Sequence, residues 1–442
     1  MHKLRALFVS AILAGNIAHS ADLLSLYREA QTQDPAIAAA RASLAAALEK
    51  VKQAEAVNGP SVNAQGNANY NALGTNVLSR PVHVNTERSY AVLNASVSAS
   101  QPLYRKQNEV NIEQAQEAVK LAEITVKSAE QDLITRLAQA YFDVLLAQDN
   151  LSLITAQKAA VTEQLAQAKR NFEVGVATIV DSNEAQARYD LVLAAEISAR
   201  NELERTRWAL RSVIGRYEAV LAGLREPISL PDPNPNNMEA WVAKGEANAY
   251  AVLLAQKALS LLQYDLKRNQ VANDFTVDAV ASAGMNFFNG STVNNFNGTT
   301  RTALIGVQVN YPLFTNGLID ARVRESLANI DKSRQDLETA RRGVALATRS
   351  AFLGVTNGLA SNSAQLQALA SANTVLASTK LGLEVGVRTN LDILNAQQAV
   401  FSVRRDLAAA RYNTLMGNLR LKAAVGELAE PDVQAVNAYL VK

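Results

Sequence analysis

Two glycine-led segments carry the side chains best placed to do chemistry. Gly175-Val176-Ala177-Thr178 precedes Asp181 and Glu184, and Gly386-Val387-Arg388-Thr389 precedes Asp392 and Asn395. An acid just inside the start of a helix is favoured there by the helix dipole. Catalysis needs more than this, and the chain does not provide it. It has no cysteine, which removes thiol chemistry, disulfides and cysteine-bound zinc. Its histidines are His2, His19 and His83, of which two fall in a leader-like segment. A histidine metal site or a catalytic triad is therefore not expected. No Gly-x-x-x-x-Gly-Lys-Ser/Thr loop is present to hold a nucleotide. No convergent acid–base group can be argued from the spacing of the carboxylates. The reading is a protein that is not an enzyme, with no metal and no cofactor.

The N-terminus has the pattern of an export signal, residues 1–20. Lys3 and Arg5 are followed by an apolar run from Leu7 to Leu13, and Ala18-His19-Ser20 provides small residues before Ala21. No later run reaches the roughly twenty apolar residues of a membrane-spanning helix. The cysteine that a lipid anchor would require is also missing. A net charge of +2 gives no field to draw in nucleic acid.

The elements that must position the two tips repeat. Residues 172–215 lie over 383–426 without a gap, and 13 of the 44 positions are identical. The shared residues include Glu173/Glu384, Gly175/Gly386, Thr178/Thr389, Asp181/Asp392 and Gly215/Gly426. From Tyr104 to Val174 there is neither proline nor glycine, and helix formers dominate. Apolar or small residues recur every seventh place at Ile112, Val119, Val126, Leu133, Ala140, Ala147, Ile154, Val161 and Ala168. A sustained period of seven implies a left-handed supercoil, on the order of 100 Å long at 1.5 Å per residue. Gly175 and Gly386 then supply the left-handed backbone that ends one helix before the next begins. Each repeat thus predicts an antiparallel helical hairpin.

Four segments alternate with period two, the signal of half-buried strands: about 61–72, 90–103, 275–288 and 301–313. Polar tips are expected near Gly74–Glu87 and Asn289–Thr300. Pro102 and Pro312 stand where a strand hands over to a helix, where proline is expected to stop the ladder. The predicted organisation is a first repeat over 22–226, with helices over about 22–57, 105–174 and 178–214. A proline-rich linker follows at 227–236, then a second repeat over 237–426 and a short end at 427–442. Each repeat reads helix, strand, strand, helix, helix. Four strands cannot close a barrel, since roughly eight is the smallest number that does. Copies must join to cover the open edges, and counting alone allows eight, twelve or sixteen strands.

At this point the chain resembles the TolC family of bacterial outer-membrane channels, from about Asp22 to Glu430. The carriers are Asp34-Pro35, Gln101-Pro102-Leu103-Tyr104, Ala140-Tyr141-Phe142, Phe172-Glu-Val-Gly175, Ala185-Gln-Ala-Arg-Tyr189, Tyr311-Pro312-Leu313-Phe314, Val385-Gly-Val-Arg-Thr389 with Leu391-Asp392, and Ala410-Arg-Tyr-Asn413. The resemblance implies a mainly α fold with β. It implies a homotrimer whose twelve-stranded barrel sits in the outer-membrane lipid of a Gram-negative bacterium. A twelve-helix coiled-coil tunnel would continue that barrel into the periplasm. It also implies a periplasmic adaptor protein and an inner-membrane transporter as partners, with no nucleic acid.

The family's entrance is lined by acids spaced Asp-x-x-Asp, and here those places hold Asp392 and Asn395. Asp181 and Glu184 lie at the equivalent height in the first repeat. Arg388 matches the family's tip arginine and is expected to pair with an acid such as Asp181 of a neighbouring copy. By the same resemblance Gly175, Val176, Thr178, Gly386, Val387 and Thr389 would meet the adaptor. The expected function is a passive exit duct for efflux or type I secretion, gated at the periplasmic tips. The alternative is an exported coiled-coil adaptor or structural rod without a pore.

Overall fold

A computed structural model of the chain describes residues 21–79, 82–216, 220–289 and 297–441. The leader-like segment and the centre of the second strand-hairpin tip lie outside them.

Long alternating segments pair as the two-residue period demands. Strands β1 (Ser61–Ser79), β2 (Val82–Tyr104), β3 (Thr276–Asn289) and β4 (Asn297–Asn310) form one antiparallel sheet in the order β1-β2-β3-β4. The first hairpin runs further than its side-chain alternation indicated. Thr75 still faces Thr86, and Ser79 faces Val82. Polar residues there look like a loop in sequence, but the backbone ladder bonds through main-chain groups whatever the side chains are. β4 stops at Asn310, three residues short of the predicted end, because Pro312 cannot donate to a ladder.

Helices make up the rest. They are α1 (Leu23–Gln33), α2 (Pro35–Ala56), α3 (Lys106–Glu173), α4 (Ile179–Ile214), α5 (Met238–Asn248), α6 (Tyr250–Gln270), α7 (Leu318–Glu384), α8 (Asn390–Ala424) and α9 (Glu430–Asn437). The single helix expected over 22–57 is two helices. Pro35 disfavours helical backbone at the residue before it, and Asp34 takes extended backbone there. The Asp34 carboxylate then accepts the N–H groups of Ala36 and Ile37 at 2.9 and 3.0 Å, capping α2. Arg136 holds its other oxygen at 3.1 Å. The second repeat has the same division without a proline, with Ala249 extended between α5 and α6.

The chain divides into two compact units. One comprises the chain through Ala40, Thr125–Leu253 and Ala340–Lys442; the other comprises Arg41–Ile124 and Leu254–Thr339. The main core of the first unit is built by α1, α3, α4, α8 and α9, around Leu26, Leu137, Tyr141, Phe142, Leu210 and Leu419. Six of the nine seven-spaced residues of α3 are buried: Val119, Leu133, Ala140, Ala147, Val161 and Ala168. Two buried tyrosine hydroxyls of this unit are satisfied: Tyr141 donates to the Ala222 carbonyl and Tyr412 to Asp149 Oδ2, each at 2.7 Å.

The second unit holds the sheet. Its inner junction is fixed at the strand–helix handover, where Arg105 donates to both carboxylate oxygens of the buried Asp278 at 2.9 and 2.7 Å. Pro102 does not end its ladder. It faces Asp278, the register slips between Pro102 and Tyr104, and β2 continues to Tyr104. Leu103 falls at that slip as the extra residue of a bulge. Pro312 lies beyond the end of β4, and Asn316 and Gly317 take positive φ just before α7.

Candidate functional site at the helical tips

Each tip is built from two local motifs, and both repeats use the same two. The first closes the outgoing helix. Gly175 has φ of 79°, its N–H reaches the Phe172 carbonyl at 3.0 Å, and the Val176 N–H reaches that of Asn171 at 2.9 Å. Gly386 has φ of 78°, with its N–H on Leu383 at 3.0 Å and the Val387 N–H on Gly382 at 2.9 Å. This pairing satisfies the carbonyls left open at a helix C-terminus and requires a left-handed residue.

The second motif opens the returning helix. Thr178 accepts the Asp181 N–H at 3.4 Å, while Asp181 Oδ2 accepts the Thr178 N–H at 2.9 Å and its hydroxyl at 2.8 Å. Thr389 and Asp392 repeat this at 3.3, 2.9 and 3.0 Å. These are reciprocal capping boxes. Asp181 and Asp392 therefore hold the start of α4 and α8, whatever else they do. The backbone N–H and then the hydroxyl of Thr389 hold the Asp392 carboxyl below the ordinary aspartate range, with Arg388 adding to the effect. A depressed folded pKa means that this cap stabilises above the unfolded value and is lost as pH falls through the folded one.

Among the differences between the tips, two positions are coupled. In the second repeat the Arg388 side chain folds back over the end of α7, where a Cβ on Gly382 would come within 2.7 Å of Arg388 Cγ. The first repeat has Asn171 and Ala177 in those two places. Arg388 stands out in the sequence and Gly382 does not, although the two repeats differ at both positions when laid over one another. Within one protomer no Arg388–Asp181 ion pair forms among the described residues. Val176 and Val387, 74% and 73% exposed, present matching apolar points at the two tips.

α8 is held against the first-repeat hairpin just behind the tips. Leu394 packs with Val161 and Val192, and Gln157 donates to Gln398. The Arg188 guanidinium donates to Asn395 Oδ1 at 2.8 Å. The amide at 395 thus meets a cation from the other repeat, a contact the sequence did not point to. Glu184 lies one turn before Arg188 on α4 and is half-buried.

Among the described residues no group of acids or histidines is arranged to hold a metal. No described helix is long and apolar enough to cross a membrane.

A family model described as "Outer membrane efflux protein" matches residues 26–216 and 247–427. Outer membrane protein TolC of Vibrio cholerae is 32% identical over this entire chain and 99% of its own length. Alkaline protease secretion protein AprF of Pseudomonas aeruginosa is 29% identical, over 80% of this chain and 74% of its own length. In fold, the chain is similar to the Campylobacter jejuni CmeC outer membrane channel, with a TM-score of 0.76 at 14% identity over 94% of this chain and 89% of that one.

Proposed function

The chain belongs to the outer membrane efflux protein family, and from that premise we propose that it is a trimeric exit duct serving efflux or type I secretion. It is an outer membrane protein, as its relatives are. A four-stranded sheet whose β1 and β4 edges are both open carries the oligomeric part of the reading. Three copies bring twelve strands, enough for a membrane barrel, where four are too few. Their paired hairpins would form a periplasmic tunnel of twelve helices. A periplasmic adaptor would dock on the tips, and an inner-membrane transporter would supply the energy, so the chain itself does no catalysis. No relative supports a rod without a pore.

The gate is the ring of tips. Arg388 is exposed and folds over α7 without an ion-pair partner among the described residues of its own protomer. Asp181 uses one oxygen for its cap, and a carboxylate has further acceptor sites. An Arg388–Asp181 link between protomers would hold the tips closed, and docking of the partner would shift the population towards an open ring. Outer-membrane extracts should yield a trimer that conducts ions in planar bilayers. The paired Arg388→Ala and Asp181→Ala variant should raise single-channel conductance severalfold. Unchanged conductance would remove the lock, and a monomer that never conducts would remove the duct.

A further inference from the structure

The outer strands of the sheet end in open backbone rows, and the sheet itself indicates how those rows are covered. Among the described residues of one protomer, β1 bonds only to β2, and β4 only to β3. The inner junction joins the second strand of the first repeat, β2, to the first strand of the second repeat, β3. If β4 of one copy met β1 of the next, the same relation would recur: second strand of one repeat, first strand of another.

The two hairpins fix which residues correspond. Ser100 stands two places before Pro102, and Asn310 two places before Pro312. Ser61 faces Ser100 as Thr276 faces Asn310. Stepping along each strand, Ile305 takes the place of Ala95, and Met285 takes the place of Tyr70. The hairpins agree, because Ala95 faces Gly66 as Ile305 faces Ala281, and Tyr70 faces Ala91 as Met285 faces Arg301. At the inner junction Ala95 faces Met285.

We infer that Ile305 of one copy faces Tyr70 of the next, with Ala303 opposite Ala72 and Val307 opposite Ala68. This rests on the proposed edge-to-edge assembly and assigns its register residue by residue.

Two further observations agree with the assignment. Among the described side chains, Ile305, 89% exposed, is the most exposed large apolar one of β4, and Tyr70, 76% exposed, is that of β1. The inferred register sets these two against each other as an aromatic–β-branched cross-strand pair. Faces also match. Ala68, Tyr70 and Ala72 lie on the small and apolar face of β1, and Ala303, Ile305 and Val307 on that of β4. A slip of one residue would put Ile305 opposite Asn69 or Asn71 and invert every side chain of the adjoining strand. A slip of two keeps the faces but separates Ile305 from Tyr70.

The chain has no cysteine, so introduced pairs report alone. Facing residues have Cα atoms about 4.5–5.5 Å apart and diagonal ones about 7–8 Å, while a disulfide needs roughly 4.4–6.8 Å. The full-length protein in outer membranes would carry Tyr70→Cys with Ile305→Cys, or Asn71→Cys with Leu304→Cys. These two pairs sample both kinds of facing site in the ladder. Controls combine Ile305→Cys with Ala68→Cys or with Ala72→Cys. Native mass under reducing conditions checks that each variant assembles.

Mild oxidation should link trimers through at least one facing pair at least about tenfold faster than through either control. Equal or faster linking in a control, or no linking in trimers of either facing pair, overturns the register while leaving the duct intact. Unmodified protein that is monomeric by native mass overturns the assembly and the register together.

Discussion

Gly386 has open space around the position of a Cβ and φ of 78°, so its requirement is conformational rather than steric. A side chain there costs about 1–2 kcal/mol in left-handed backbone, and asparagine costs less than alanine. Gly386→Ala should therefore speed limited proteolysis at the second tip, and Gly386→Asn should restore much of the resistance. Equal rates for the two would mean that something other than backbone strain is being read.

A second residue-scale case lies in the core. Burial pushes the Asp149 carboxyl up, the charge of Glu226 adds to this, and the Tyr412 hydroxyl and Arg411 oppose it. A raised folded pKa means that stability falls as pH rises from the unfolded value through the folded one, because the ionised form is penalised. Asp149→Asn keeps an acceptor for Tyr412 and removes the charge. Its Tm should exceed that of the parent at pH 7–8, with the difference shrinking below the ordinary aspartate value of 3.8. A lower Tm at pH 8 would refute this account.

At the scale of elements, α7 and α8 approach closely at one point. A Cβ on Gly358 would lie 2.5 Å from Thr414 Oγ1. That hydroxyl is buried and donates to the Ala410 carbonyl at 2.7 Å, so it cannot turn away without losing a bond. Gly358→Ala should cost about 1–3 kcal/mol through overpacking. Gly343, on the same helix, has nothing within 4 Å of its Cβ position, and Gly343→Ala should gain up to about 1 kcal/mol from helix propensity. Denaturant midpoints of the two variants should move in opposite directions. The same scale explains the broken first helix. Proline at 35 disfavours helical backbone at Asp34, and the Asp34 cap and its contact with Arg136 hold the new start in place.

At the scale of the whole molecule, the contact between repeats would set the charge at the entrance of the proposed duct. Asn395 meets Arg188, so an acid placed at 395 would first be neutralised by that guanidinium. Asn395→Asp alone should leave conductance nearly as insensitive to divalent cations as the parent. In the proposed trimer, adding Arg188→Gln would leave three unpaired carboxylates beside the three of Asp392. Like charges held close favour cation binding, and the half-blocking concentration should fall roughly tenfold. Block by the single variant equal to that of the double would show that Arg188 does not act on this position.

The periods of two and seven and the glycine-led tips are written in the chain because local backbone and side-chain alternation depend on near neighbours alone. The duplicated Gly-x-x-Thr-x-x-Asp pattern similarly defines both tips before any fold is known, since each closes over a dozen residues. Other features depended on the fold. Arg188 meets Asn395 across 207 positions, Arg105 meets Asp278 across 173, and Gly382 matters only because Arg388 folds over it. The polar end of the first hairpin pairs through its backbone, so side-chain pattern could not disclose it. Such contacts are set by how separate elements pack, and a linear pattern carries no record of which distant side chains that packing brings within reach.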